Sequence, residues 1–323
     1  MLRRCALALL AAAAMPLPIR AQPAWPSRPV RLILPDTPGT GNDTTARLIA
    51  PLFETALGQP LVIDNRGGAG GRIGVEAAFR APPDGYTFLL GNAGANGINA
   101  AIYRDLPYDL VTAFDTVALL VVGPNALVVN PRILPVTDVA GLIAAVRARQ
   151  GALNYASAGT GSSAHMNMEM FRHQAGLDIV HVPYRGAPAL VQAVIAGEAP
   201  LAFANMVNVM AQVRSGEVRL LAVTSLARLP DLPEVPTVHE SGLPGFETLA
   251  WNGILAPKGT PAPIRERFWA ALRTVRDDAA LQDRIRLLGG QLVVSTPAEF
   301  EARIVGDIAG WRRLAAAAGS QAH

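Results

Sequence analysis

Short apolar segments alternate with glycine-rich loops and helical stretches along most of the chain. Val30–Leu34 has the composition of a strand, residues 35–41 form a proline- and glycine-containing loop, and a helix is predicted over residues 43–57 with Asp43 as its N-cap. The order of strand, glycine-rich loop, helix and strand returns after Ala126. This alternation predicts parallel βαβ units, and its repetition predicts two similar α/β lobes.

The other predicted elements continue this alternation of strands and helices. Further strands are predicted over residues 61–64, 87–90, 126–130, 153–156, 179–182, 220–223 and 291–294. Further helices are predicted over residues 73–80, 136–149 and a segment ending at Gln174, and a helical tail over residues 263–318 is interrupted by the strand at 291–294.

The first 21 residues have the pattern of an export signal. Arg3 and Arg4 precede an unbroken apolar run over residues 5–15, and proline residues and Ala21 follow it. The run is too short to span a bilayer as a stable helix. We therefore predict a signal peptide over residues 1–21 and an exported mature protein.

Composition excludes several classes of protein. The 323 residues are 50% hydrophobic and 16% charged, unlike a disordered chain. The leader contains Arg3, Arg4 and Arg20, so its removal lowers Lys+Arg from 28 to 25, equal to the 25 Asp+Glu. This balance, with Lys258 as the single lysine, predicts no nucleic-acid binding. Removing the leader also removes Cys5, the single cysteine, and with it any disulfide or thiolate site.

A glycine- and serine-rich loop follows the strand at residues 153–156. Residues 159–164 approach the G-x-G-x-x-A pattern of dinucleotide sites, but Ser162 and Ser163 suit the required helix packing poorly, and an exported protein meets little NAD. Backbone N–H groups at a helix N-terminus can instead hold a carboxylate. We therefore predict an anion-binding loop and no cofactor.

Three titratable residues lie at helical spacing beyond this loop. His165, Glu169 and His173 share one helix face, but they extend over about 12 Å of helix, too far for a single ion. We predict no metal, a separate His165 and a Glu169–His173 surface pair. A serine hydrolase is disfavoured because no G-x-S-x-G segment is present.

Many short motifs are spread across essentially the whole mature chain. They are PDTPGTGND (35–43), GQP (58–60), DNRGGAGG (64–71), APPDGYT (81–87), YRDLPYD (103–109), NYASAGTGS (154–162), HVPYRG (181–186), LAVTS (221–225), PT (236–237) and GLPGF (242–246). Together, and in this order, they resemble one family, the tripartite tricarboxylate transporter substrate-binding receptors, also called the Bug or TctC family.

The resemblance implies an α/β protein with the two-lobed fold of type II periplasmic binding proteins. Lobe 1 would comprise residues 22–123 and 224–323, and lobe 2 residues 124–223, with crossovers near residues 122–125 and 222–225. The implied ligand site lies between the lobes and uses the loops after the first and third strands together with the serine-rich loop. Its residues would be Asp36, Pro38, Gly39, Asn42, Asp43, Asn92, Ala93, Gly94, Ser157, Gly159, Thr160, Ser162, His165 and Asn205.

The implied function is that of a non-enzymatic, monomeric periplasmic receptor. It would close on a small carboxylated metabolite and deliver it to membrane transporter subunits. The alternatives are a ligand sensor for a signalling partner and, with less support, an exported hydrolase.

Asp36 departs from the family pattern, which usually has an aromatic residue at this position. A carboxylate there would repel a ligand carboxylate by about 4 kcal/mol at 4 Å with an effective dielectric constant of 20. Either Asp36 turns outward to bond its own backbone, or the far end of the ligand is not anionic. In the second case Asn42, Asn92 and Asn205 would surround an amine, amide or hydroxyl group.

Overall fold

The structure, a computed structural model, describes residues 25–149 and 151–318. The predicted signal peptide lies outside these residues. The strands are β1 (Val30–Leu34), β2 (Leu61–Asn65), β3 (Thr87–Asn92), β4 (Phe114–Val129), β5 (Asn154–Ser157), β6 (Val180–Pro183), β7 (Leu201–Asn205), β8 (Arg219–Val223), β9 (Leu249–Pro257) and β10 (Gln291–Leu292).

The helices lie between and around these strands. They are α1 (Gly41–Leu57), α2 (Arg72–Phe79), α3 (Asn99–Ile102), α4 (Val139–Arg147), α5 (Ser163–Ala175), α6 (Ala187–Ala196), α7 (Met206–Ser215), α8 (Ala262–Arg276), α9 (Ala279–Leu287) and α10 (Pro297–Ala318), with a 3₁₀ turn at Ala69–Gly71 and a π-helical turn at Ala93–Ile98. Among the described residues, no helix is long and apolar enough to cross a membrane.

The strands form two sheet regions that share β4. In the first, β1 pairs in parallel with β2 and β3, and β9 joins β3 to the first part of β4. In the second, β5 pairs in parallel with β6 and β7, while β7 and β8 pair with the rest of β4. The predicted mixed α/β fold class is therefore confirmed.

β4 is one strand of 16 residues and passes from one sheet region to the other. Its residues up to Pro124 pair with β9, and those from Asn125 onward pair with β7. The sequence predicted a strand only from Ala126, because the polar and glycine-containing step before it interrupts the apolar run.

A hydrogen-bonded junction ties together the segments that pass between the sheet regions. The Thr224 hydroxyl oxygen accepts a bond from Asn125 N at 2.8 Å and donates to the Thr248 carbonyl at 2.5 Å. All three residues are buried. The three segments that connect the sheet regions are therefore adjacent, as expected for a hinge between two lobes.

The segment between Thr224 and Thr248 packs on the second sheet region. The Phe246 ring stacks on Phe203 of β7 at 5.7 Å between centroids, and Val238 and Leu243 belong to the same buried cluster. The division into lobes stays a prediction. On this packing, we propose that lobe 2 extends to about Thr248 instead of ending at Val223.

The start of α1 differs from the prediction in one detail. Thr40 is the N-cap, because its hydroxyl oxygen accepts the Asp43 backbone N–H at 3.3 Å. Asp43 lies in the first turn, where its carboxylate accepts Gly39 N at 2.9 Å and pairs with Arg47. Thr40, three residues before Asp43, therefore caps the helix, and the Asp43 carboxylate stabilises the preceding loop.

Candidate functional site

A cavity of about 540 Å³ lies between the two sheet regions. One wall consists of the segments after β1, β2 and β3, and the opposite wall consists of the segments after β5, β6 and β7. The carboxyl ends of parallel strands meet at one edge of a sheet, so each region contributes three loops to the same cleft.

The two walls touch each other across this cavity. The Gly41 backbone N–H donates to Asn208 Oδ1 at 2.5 Å, which connects the start of α1 with α7. A Cβ atom on Gly70 would lie only 2.7 Å from the Thr160 carbonyl oxygen. Residues of one sheet region therefore pack directly on residues of the other at the edge of the cavity.

Most of the residues predicted for the ligand site line this cavity. The nine that do so are Asp36, Asn42, Asn92, Ala93, Gly94, Gly159, Thr160, Ser162 and Asn205. Pro38, Gly39, Asp43, Ser157 and His165 lie outside the lining.

The five residues outside the lining have other contacts. Pro38 and Gly39 are exposed, and the Asp43 carboxylate accepts the Gly39 backbone N–H. Ser157 is fully buried behind the lining, and its hydroxyl bonds His181 Nε2 at 2.6 Å. His165 Nδ1 accepts the Gly161 N–H at 3.3 Å. These contacts stabilise the loops that line the cavity.

Asp36 points into the cleft. Its Oδ2 accepts hydrogen bonds from Asn42 Nδ2 at 2.7 Å and Asn92 Nδ2 at 2.9 Å. The outward orientation considered from the sequence is therefore wrong, because two inward amide donors hold the carboxylate. Burial raises the pKa of Asp36, and the bonds from the two amides act in the opposite direction.

A cluster of aromatic and titratable side chains lies behind the serine-rich loop. The His165 and His181 rings are 4.1 Å apart, and His181 lies 4.9 Å from the Tyr155 ring. Burial lowers the pKa of His165, and burial together with the nearby His165 lowers that of His181 to about 4. Both rings are therefore neutral near pH 7.

Glu169 is part of this buried cluster and not of a surface pair. One carboxylate oxygen accepts the Tyr155 hydroxyl at 2.6 Å, and the other accepts Arg172 Nε at 2.9 Å. The predicted Glu169–His173 pair is wrong, because Arg172 at i+3 and the strand residue Tyr155 occupy the carboxylate. Among the described residues, no group of three or more His, Cys, Asp or Glu side chains could hold a metal.

The Ser157–His181 hydrogen bond resembles a nucleophile and its base, so it bears on the hydrolase alternative. Ser157 is 0% exposed, and neither residue lines the cavity. Gly159 N also donates to the Ser157 oxygen at 3.1 Å. The serine is thus a buried support for the loop, with no face presented to a substrate carbonyl.

The neutral histidine pair predicts a pH dependence of stability. An unfolded histidine takes up a proton near pH 6.5, whereas folded His181 does so only near pH 4. Between these values the unfolded state binds more protons, so the free energy of unfolding falls as the pH drops from 6.5 to 4. We expect a loss of about 2 kcal/mol, because the partly solvated ring keeps some hydration.

Urea unfolding at several pH values measures this loss. His181→Gln removes the titrating group, and we expect a flatter dependence in this variant whatever its absolute stability. An equally steep dependence in the variant would assign the acid sensitivity to other groups.

Several lining residues were not predicted. Tyr184, Arg185 and Gly186 follow β6, and Gly67–Gly71 follow β2, so their position after parallel strands was a signal available in the sequence. Trp251 and Asn208 also line the cavity. They lie within β9 and α7, where no local pattern distinguishes a cavity residue from a core residue.

The fold and the cleft together define a class, the two-lobed α/β proteins that enclose a ligand between their lobes. The model of the tripartite tricarboxylate transporter family receptors, TctC, matches residues 45–314. The chain belongs to this receptor family, as the motifs indicated.

Individual relatives agree with this assignment. BugT of Bordetella pertussis is 33% identical over 303 residues, covering 94% of this chain and 92% of BugT. An R. palustris protein solved with adipate is 35% identical with a TM-score of 0.88, covering 91% of this chain and 98% of that one. MatC of Rhodopseudomonas palustris with bound malate is 31% identical with a TM-score of 0.85, covering 90% and 99%.

Proposed function

We propose that the protein is an exported, monomeric receptor that closes its two lobes on a small carboxylate and delivers it to tripartite-type membrane transporter subunits. The observation that carries the proposal is the cavity between the two lobes, whose walls present polar groups from both lobes and touch through the bond from Gly41 to Asn208. Membership of the receptor family and the adipate and malate bound to two relatives support it.

The first turn of α5 is the proposed carboxylate subsite. Ser162 caps the His165 N–H at 3.3 Å, whereas the N–H groups of Ser163 and Ala164 have no hydrogen-bond partner among the described residues. Ser163 and Ala164 both line the cavity. Two free amides at the positive end of a 13-residue helix suit a carboxylate.

A second free donor lies on the facing wall. The Thr37 hydroxyl lines the cavity and is buried without a hydrogen-bond partner among the described residues. Buried hydroxyl groups are rarely left unpaired in native proteins. A ligand oxygen held between α5 and Thr37 would bond both lobes and so stabilise the closed form.

Native mass spectrometry of the gently purified periplasmic protein tests the binding proposal. We expect one small molecule per chain, released on denaturation and carrying a carboxylate group. A retained ligand without a carboxylate would contradict the proposed subsite.

Uptake measurements test the delivery proposal. Deleting the gene for the receptor is expected to abolish uptake of the identified ligand by the cells that produce it. Undiminished uptake would contradict a transport role and favour the sensing alternative.

A further inference from the structure

Asp36 is the one acidic residue among the described residues that line the cavity, and Arg185 is the one basic residue. They belong to opposite walls, since Asp36 follows β1 and Arg185 follows β6. Arg185 is exposed, whereas Asp36 is half-buried in the wall of lobe 1. The cavity therefore has a fixed negative site on one side.

The neighbours of Asp36 are oriented to donate to it. Asn252 Nδ2 donates to Asn42 Oδ1 at 3.1 Å, and the Ala95 backbone N–H donates to Asn92 Oδ1 at 2.8 Å. Each asparagine oxygen is thus already engaged, so both amides turn their NH₂ groups toward Asp36 Oδ2. This arrangement suits an ionised carboxylate, which accepts hydrogen bonds and donates none.

The second carboxylate oxygen of Asp36, Oδ1, is available to accept a hydrogen bond from a ligand. Oδ1 has no hydrogen-bond partner among the residues that the structure describes, and no salt bridge pairs Asp36 with a described cation. The nearest acidic neighbour along the loop, Asp43, already pairs with Arg47. A half-buried carboxylate without a cationic partner would stabilise a cation placed beside it in the cavity.

We infer that the ligand carries a cationic nitrogen in addition to its carboxylate, and that this nitrogen binds Asp36 Oδ1 while the carboxylate faces α5. The inference rests on the proposed function and narrows the ligand class to amino carboxylates. A second carboxylate at the same place would face Asp36 with like charge. The receptor is thus expected to disfavour symmetric dicarboxylates such as adipate.

Calorimetry with matched compounds tests the inference. The series pairs succinate with 4-aminobutanoate, glutarate with 5-aminopentanoate and adipate with 6-aminohexanoate. It also contains the corresponding unsubstituted monocarboxylates and the twenty standard amino acids. We expect amino carboxylates to bind at least tenfold more tightly than dicarboxylates of the same length. In Asp36→Asn, which keeps the size and one acceptor oxygen, this preference should fall at least tenfold.

Asp64→Asn is the matched control. It removes one carboxylate from the same lobe, at the end of β2 and outside the cavity lining, so the preference should persist. Tighter binding of a dicarboxylate by the wild type, or an unchanged preference in Asp36→Asn, would overturn the inference and leave the carboxylate receptor intact. Failure of every carboxylate in the series to bind would overturn the proposed function itself.

Discussion

Phe268→Ala and Phe246→Ala are each expected to lower the free energy of unfolding by about 3–5 kcal/mol, the usual cost of removing a buried phenyl ring. Both rings are 0% exposed. Phe268 lies 4.1 Å from the ring of Phe88 and 4.3 Å from that of Phe53, in the core of the first sheet region. Phe246 stacks on Phe203 in the core of the second.

The two substitutions are a matched pair because they weaken different lobes. We expect faster amide exchange in β1 and β3 of Phe268→Ala, and faster exchange in β7 and α5 of Phe246→Ala. Urea unfolding gives the loss of stability, and hydrogen exchange locates it. If Phe246→Ala instead speeded amide exchange in β1 and β3, the result would favour a lobe 2 that ends at Val223 over one that extends to about Thr248.

Gly70→Ala is expected to weaken ligand binding about 10- to 100-fold, because an overpacked contact typically costs about 1–3 kcal/mol. The added Cβ would lie 2.7 Å from the Thr160 carbonyl oxygen, a backbone atom of the opposite lobe. We expect this clash only when the lobes are closed. The open form should therefore fold normally while the closed form is penalised.

Gly176→Ala controls for backbone strain. Gly70 and Gly176 have φ angles of 65° and 59°, but a Cβ on Gly176 would meet nothing within 4 Å. Calorimetry with the ligand carried by the purified protein should show near wild-type affinity for Gly176→Ala. Equal losses in both variants would assign the effect to strain and not to closure.

Local patterns were enough to predict most of the elements that position the site. The apolar run of β1 and the helix ending before Gly58 appear almost at their predicted bounds, since strand and helix periodicities and a left-handed C-cap glycine are local properties. Asn92 and Gly159 were assigned to the cleft through the family resemblance. Their position agrees with the rule that loops after parallel strands converge on one edge of a sheet.

Features that depend on distant residues could not be predicted in this way. The orientation of Asp36 is set by Asn92, which is 56 positions away, and by the bond from Asn252 to Asn42. Phe246 packs on β7 although it follows β8 along the chain. Such contacts arise from tertiary packing, for which a single sequence carries no periodic signal.

Ligand-driven closure of the two lobes is the central claim, and a distance measurement across the cleft tests it most directly. Val62 on β2 and Val180 on β6 are each 48% exposed at the outer strands of the two sheet regions, and the chain has no cysteine beyond Cys5. Spin labels on Val62→Cys and Val180→Cys in the mature protein would report their separation by pulsed electron resonance. We predict a broad, longer distance without ligand that shifts to one shorter distance at saturation; the same distance in both states would contradict closure.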